Sequence, residues 1–115
     1  MDKYTHISLL YDFYGGLLTE KQQEVLSLYH GDNCSLSEIA EELKISRQGV
    51  HATLKSGEAA LMHYENKLML VKKLAETQKA IGMLDQVIGK LKAKGEEEME
   101  SKLKQVRAVM DGSMT

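Results

Sequence analysis

The chain has 115 residues, with no proline, one cysteine, 5% aromatic residues and a formal net charge of −2. This length suffices for one modest core but not for two of ordinary size. No segment approaches the roughly 18 consecutive apolar residues of a membrane span, and a single cysteine excludes an internal disulfide. Because the first residues lack the basic and then apolar run of a secretory signal, we expect a cytoplasmic protein that does not enter a membrane.

Charge is unevenly distributed along the chain. Residues 1–65 hold five Lys and Arg against ten Asp and Glu, a local charge of −5, whereas residues 66–115 hold ten against seven. Proteins that bind nucleic acid usually gain affinity by neutralising phosphates with Lys and Arg. The acidic first half therefore argues against strong autonomous DNA binding.

The composition favours helix throughout, since Leu, Lys, Glu, Gln, Ala and Met lose little on entering a helix. Apolar residues at i, i+3, i+4 and i+7 predict a first helix over residues 4–14, which stops at Gly15 and Gly16. Thr19 followed by Gln22 has the form of a capping box and predicts a second helix over about residues 20–29.

Residues 35–54 have the pattern of two short helices joined by a tight turn. Ser35 and Glu38 form a second capping box, and Ser46 is placed to cap the following helix. Ala40 is small enough for the two helices to cross closely. Lys44 occupies the turn position that usually favours glycine, where a left-handed backbone costs about 1 kcal/mol for other residues. The segment predicts a helix-turn-helix unit.

The second helix of this unit has two different faces. Val50, Leu54 and Leu61 point inward with Gly57 near them, and the opposite, solvent-facing side carries Arg47, Gln48, His51 and Lys55. Residues near the amino end of a recognition helix enter the major groove, so these four side chains are candidate DNA contacts. Arg47 suits guanine or phosphate, Gln48 adenine, His51 a base or phosphate, and Lys55 phosphate. The alternative is an ordinary solvated polar face.

The carboxyl-terminal half carries a heptad pattern. Apolar or small residues recur by alternating steps of four and three at Leu70, Leu74, Thr77, Ile81, Leu84, Ile88 and Leu91. They predict one helix of roughly 27 residues, about 40 Å long, from about Asn66 to Lys94 and Gly95. A last helix follows the glutamates at 96–98, with a stripe of Met99, Leu103, Val106 and Met110.

The predicted architecture is therefore all-α, with a helix-turn-helix domain over residues 1–65 and a helical extension over residues 66–115. The heptad seam has two explanations, packing within the chain or pairing with another protein. A 40 Å helix exceeds what a 65-residue globule covers, and two-fold symmetry is the commonest oligomeric solution, so we favour a homodimer through the 66–115 helices.

No pattern in the sequence indicates catalysis. The four histidines form no HExxH motif, the single cysteine has no CxxC partner, and no glycine-rich phosphate loop is present. Cys34 lies in a predicted loop without an activating base. We predict no metal, no cofactor and no enzyme activity.

Three segments carry a resemblance to a known family: GGLLTEKQ at 15–22, SLSEIAEEL at 35–43 and ISRQGVH at 45–51. With them, residues 4–75 resemble the YlxM-type helix-turn-helix family of Gram-positive bacteria (UPF0122-like). The same region is similar, more distantly, to region 4 of bacterial sigma factors, where a helix-turn-helix reads promoter DNA.

The resemblance implies a DNA-binding or transcription-associated role for Arg47, Gln48, His51 and Lys55. It also implies a link to the signal recognition particle pathway, because genes of this family lie beside those of the particle's components. The alternative is a protein-interaction adaptor of the particle or the transcription machinery that does not bind DNA. The local charge of −5 over residues 1–65 and the heptad-bearing extension favour it. Glu41 and Glu42 count against DNA binding, because the first helix of the pair normally crosses the phosphate backbone.

Overall fold

The computed structural model describes residues 2–112, and the regular structure in that range is entirely helical. The predicted all-α class is thus confirmed. By its internal contacts the chain divides into two compact units, Met1–Val71 and Lys72–Thr115.

The first unit contains four α-helices, of which the last two form the helix-turn-helix. They are α1 (Lys3–Tyr14), α2 (Glu20–Leu26), α3 (Leu36–Leu43) and α4 (Arg47–Leu68). A short 3₁₀ turn over Gly15–Leu17 follows α1, and a π-helical turn over Ser27–Gly31 extends α2. The second helix therefore covers the predicted residues, but its last turn is wider than an α-helix.

The predicted capping residues begin the helices as expected. Two capping boxes form, in the pairs Thr19–Gln22 and Ser35–Glu38. In each, the hydroxyl of the cap residue accepts a hydrogen bond from the backbone N–H three residues later, and the side chain of that later residue accepts one from the backbone N–H of the cap residue. Each pair satisfies two backbone donors that the first turn of a helix leaves unbonded. Local sequence thus determines where α2 and α3 start.

Helices α1, α2 and α3 all pack against α4. The core of the unit contains Ile7, Leu10, Tyr14, Leu18, Val25, Leu26, Ile39, Ala40, Val50, Leu54, Leu61 and Val71. Burying one large apolar side chain contributes about 1.5–3 kcal/mol, so this cluster holds α4 firmly in place. Gly57 permits α4 and α2 to pack closely, because a Cβ there would lie 2.9 Å from Cδ1 of Leu26 on α2.

Helix α4 ends at an unpredicted break. Met69 adopts a left-handed backbone with φ 56° and ψ 30°, and α5 (Leu70–Ala93) begins at the next residue. The hydroxyl of Tyr14 donates to Oε1 of Glu65 at 2.6 Å and accepts from the N–H of Leu70 at 3.0 Å. Oε1 of Glu65 also accepts from the N–H of Val71 at 3.1 Å.

The predicted long helix is present as α5, but it begins four residues later than the predicted start at about Asn66. Residues 66–68 complete α4, and the new helix starts after Met69. The donors at the start of α5 are satisfied by side chains from α1 and α4 rather than by a local cap. No Gly or Pro marks the break in the sequence, so only tertiary contacts specify it.

The second unit contains most of α5 and all of α6 (Glu97–Gly112). The predicted stop between them is confirmed: Gly95 has φ 76°, and the N–H groups of Gly95 and Glu96 donate to the carbonyls of Lys92 and Leu91. This pattern of two bonds around a left-handed glycine is a Schellman motif. Within the heptad seam Ile81 and Ile88 are buried and most of the remainder is half-buried.

The stripe predicted for the last helix is only half right. Met99 and Val106 are 56% and 48% exposed, whereas the covered positions of α6 are Glu100, Leu103, Arg107 and Met110. Two polar pairs involve residues of the covered face, one within α6 and one with α5. Oε1 of Glu100 lies 2.8 Å from Nζ of Lys104, and Nε of Arg107 donates to Asp85 on α5 at 2.6 Å.

Candidate nucleic-acid interface

The corner between α3 and α4 has the geometry of a helix-turn-helix. Ala40 lies at the crossing and is 9% exposed, and its carbonyl accepts from the N–H of Ile45 at 3.1 Å. Lys44 has the left-handed backbone that its turn position requires, with φ 58° and ψ 43°. Ser46 then caps α4, because its hydroxyl accepts from the N–H of Gly49 at 2.9 Å.

The four predicted contact residues lie on the first three turns of α4. Arg47, Gln48, His51 and Lys55 are all exposed, whereas Val50, Leu54 and Leu61 on the opposite side are buried. Their side chains are therefore accessible to a partner, and α4 is held by its apolar face. Accessibility is a necessary condition for groove binding, and their role as DNA contacts remains a prediction.

The acidic residues near this helix are also exposed. Glu41 and Glu42 on α3 both face solvent. A carboxylate close to DNA phosphates repels them, so these two residues would oppose any electrostatic attraction between DNA and the side chains of Arg47 and Lys55. The structure therefore has a helix-turn-helix fold, which is typical of DNA binding, next to exposed carboxylates, which oppose DNA binding.

A further group of charged residues adjoins the candidate face, and sequence reasoning missed it. Glu58 on α4 is 8% exposed, and its Oε1 lies 3.6 Å from Nε2 of His30 in the π-helical turn. Its Oε2 lies 4.0 Å from Nζ of Lys3 on α1. Glu58 follows His51 by seven residues and Lys55 by three, so helical spacing alone places it on their side of α4. The partners of Glu58 are His30 and Lys3, which lie 28 and 55 residues earlier in the chain, so the sequence around Glu58 does not indicate these pairs.

Cys34 lies just before α3, and its surroundings do not favour the thiolate. Burial raises the pKa of its thiol, and the carboxylates of Glu38, Asp32 and Glu42 raise it further. A raised pKa leaves less of the nucleophilic form at neutral pH. Among residues 2–112, no three His, Cys, Asp or Glu side chains cluster so that they could hold a metal ion.

Comparison with known proteins places the chain in a family. A family model described as "Putative helix-turn-helix protein, YlxM / p13 like" matches residues 1–106. The chain belongs to the UPF0122 family. Relatives named "UPF0122 protein" from Bacillus thuringiensis (strain Al Hakam), Bacillus cereus (strain 03BB102) and Bacillus anthracis (strain A0248) are each 43% identical over 106 residues, covering 92% of both chains.

Membership of the UPF0122 family agrees with the corner formed by α3 and α4, and it confirms the resemblance to the YlxM-type family. Neither the family description nor the names of these relatives states an enzymatic activity. Over the described residues, no helix is long and apolar enough to cross a membrane.

Proposed function

We propose that this UPF0122 protein binds duplex DNA through α4 and acts as a regulatory protein. The observation that carries the proposal is the exposed set Arg47, Gln48, His51 and Lys55 on a helix whose other side is buried in the core. The family description supports a helix-turn-helix role. The likeness to sigma region 4 makes promoter-type DNA the first target to test.

The dimensions of α4 suit the major groove. From Arg47 to Lys55 the helix rises about 12 Å at 1.5 Å per residue, and the groove is about 12 Å wide. With the amino end of α4 at the base edges, Arg47 and Gln48 reach guanine and adenine, while Lys55 lies at the phosphates that border the groove. His51 lies between them and reaches either.

Gel shift with promoter and genomic fragments across a salt series tests this proposal. Arg47→Ala and Lys55→Ala should each weaken binding, and each should lower the slope of log K against log salt by about 0.9 if the side chain neutralises one phosphate. Lys21→Ala, which removes an exposed lysine of α2, is the matched control. Unchanged affinity and slope in both α4 variants would show that this face is not the DNA surface.

We further propose that the protein is a homodimer through the 66–115 helices. Much of the heptad seam is covered within one chain, so the support comes from apolar side chains that stay exposed on α5 and α6: Met83, Val87, Met99, Val106 and Val109. Light scattering should give twice the chain mass, and Met83→Glu with Val87→Glu should lower it. Lys79→Glu, which changes an exposed charge on the same helix, controls for charge alone.

The second candidate function is an adaptor that contacts the signal recognition particle or the transcription machinery without binding DNA. The exposed Glu41 and Glu42 and the exposed apolar residues of α6 favour it. Immobilised protein should then retain ribonucleoprotein or polymerase components from cell extract, and Val109→Lys should reduce that retention. Recovery of no such component would count against the adaptor.

A further inference from the structure

A small hollow beside the candidate DNA face brings three elements together. Its polar lining comes from Lys3 and Tyr4 of α1, Tyr29 of the π-helical turn, and His51, Lys55 and Glu58 of α4. The hollow has a volume of about 110 Å³. This is well below the roughly 300–1,000 Å³ of sites for small organic molecules, so its size suits an ion or one charged group.

The charges around the hollow favour an anion. Lys3 and Lys55 are cationic, and among the described residues that line the hollow Glu58 is the one carboxylate. Glu58 is buried and lies 4.0 Å from Nζ of Lys3, yet the side chain of Lys3 is 67% exposed. The ammonium of Lys3 is therefore held near the hollow while it still faces solvent.

The other polar groups of the hollow can donate hydrogen bonds. Tyr4 and Tyr29 carry phenolic hydroxyls, and tyrosine is one of the side chains that commonly contact DNA phosphates. His30 also lines the hollow, its side chain is 11% exposed, and among the described residues neither ring nitrogen has a hydrogen-bond partner. Nε2 of His30 lies 3.6 Å from Oε1 of Glu58, which leaves Nδ1 as the ring nitrogen with no nearby partner of this kind. Because buried polar groups normally have partners, a ligand in the hollow would complete the polar contacts of His30.

We propose that this hollow binds a phosphate of the DNA backbone, with Lys3 of α1 and Lys55 of α4 on the same phosphate or on neighbours along one strand. The inference rests on the proposed function, and it adds α1 to the DNA surface. With the amino end of α4 in the groove, Lys55 reaches the bordering phosphates, and Lys3 lines the same hollow as Lys55. A contact from α1 fixes how far α4 enters the groove without reading any base.

Salt-dependent binding of duplex DNA by the full-length chain tests the proposal. Removing one phosphate contact lowers the salt slope by about 0.9. A rise from 50 to 200 mM salt weakens DNA binding, and the factor by which it does so should be about 3.5-fold smaller for Lys3→Ala than for the wild type. For the double variant Lys3→Ala with Lys55→Ala this factor should be about 12-fold smaller. Lys3→Arg should keep the wild-type slope, and Lys21→Ala is the control. The loss of DNA affinity in Lys3→Ala should be the same for unrelated DNA sequences, because a phosphate contact carries no sequence information.

The possible outcomes separate this inference from the proposed function. If Arg47→Ala weakens binding while Lys3→Ala retains wild-type affinity and slope, the hollow does not contact DNA although α4 does. If the wild-type chain binds no duplex DNA at 50 mM salt, both proposals are wrong. In a nuclear magnetic resonance titration with inorganic phosphate, saturable shifts at His30 and His51, combined with an unchanged salt slope in Lys3→Ala, would identify a free-anion site and overturn the proposal.

Discussion

The hydroxyl of Tyr14 should be worth more to the stability of the first unit than any other phenolic hydroxyl there. Tyr14 is 1% exposed, and its hydroxyl bonds both the carboxylate of Glu65 and the N–H of Leu70. Tyr14→Phe keeps the ring and opens no cavity, but it removes both bonds. A hydrogen bond to a charged group is worth about 1.5–3 kcal/mol, and a buried donor left unbonded costs about 1–3 kcal/mol. We expect Tyr14→Phe to lower the free energy of unfolding by about 2–3 kcal/mol.

Tyr64→Phe is the matched control. The ring of Tyr64 lies 6.1 Å from that of Tyr14, but its hydroxyl reaches only the carbonyl of Leu17 at 3.5 Å, the limit of a hydrogen bond. Its loss should cost under about 0.5 kcal/mol. Urea unfolding followed by circular dichroism measures both variants, and amide hydrogen exchange at Leu70 reports the local bond. Equal stabilities of the two variants, with unchanged exchange at Leu70, would refute the reasoning.

Alkaline pH gives an independent check of the same bond. Burial raises the pKa of Tyr14, and the hydrogen bond to Glu65 raises it further. A raised folded-state pKa gives stability that is complete below the unfolded value of about 10 and is lost as pH rises through the folded value. Stability should therefore fall above about pH 10 in the wild type, and the fall should be smaller in Tyr14→Phe.

Three further predictions test the local structure, and the variants of each are compared by urea unfolding. Lys44→Gly should stabilise by up to about 1 kcal/mol, because its backbone is left-handed, whereas Lys55→Gly in α4 should cost about 1 kcal/mol. Gly82→Ala should stabilise by about 0.5–1 kcal/mol, since a Cβ there meets open space, and a Gly57→Ala variant that is equally stabilised would contradict the close contact with Leu26. Bonding to Ser35 lowers the pKa of Glu38, so its contribution is present above about pH 4.5 and lost as pH falls through the lower folded value. Glu38→Gln should therefore be less stable than wild type at pH 7, and the difference should shrink as pH falls below about 4.5.

The sequence by itself determined the features that depend on neighbouring residues. The starts of α2, α3 and α4 follow from cap residues three positions ahead of the backbone donors they satisfy. The inward set of α4 follows from helical periodicity, and so does the exposure of the four candidate contacts. The cap hydrogen bonds join groups only three residues apart and the apolar stripe repeats within a few turns, so both can be read from the sequence.

Only the tertiary structure decided the break at Met69, the covered face of α6 and the hollow beside α4. Tyr14 and Glu65 are 51 residues apart, Lys3 and Glu58 are 55 apart, and Asp85 and Arg107 are 22 apart. Except for the ring of Tyr14, which lies on the predicted apolar face of α1, these pairs join side chains that the sequence pattern assigns to solvent. Their partners become known only when the helices are packed, because hydrogen bonds between distant residues leave no periodic signal in either segment.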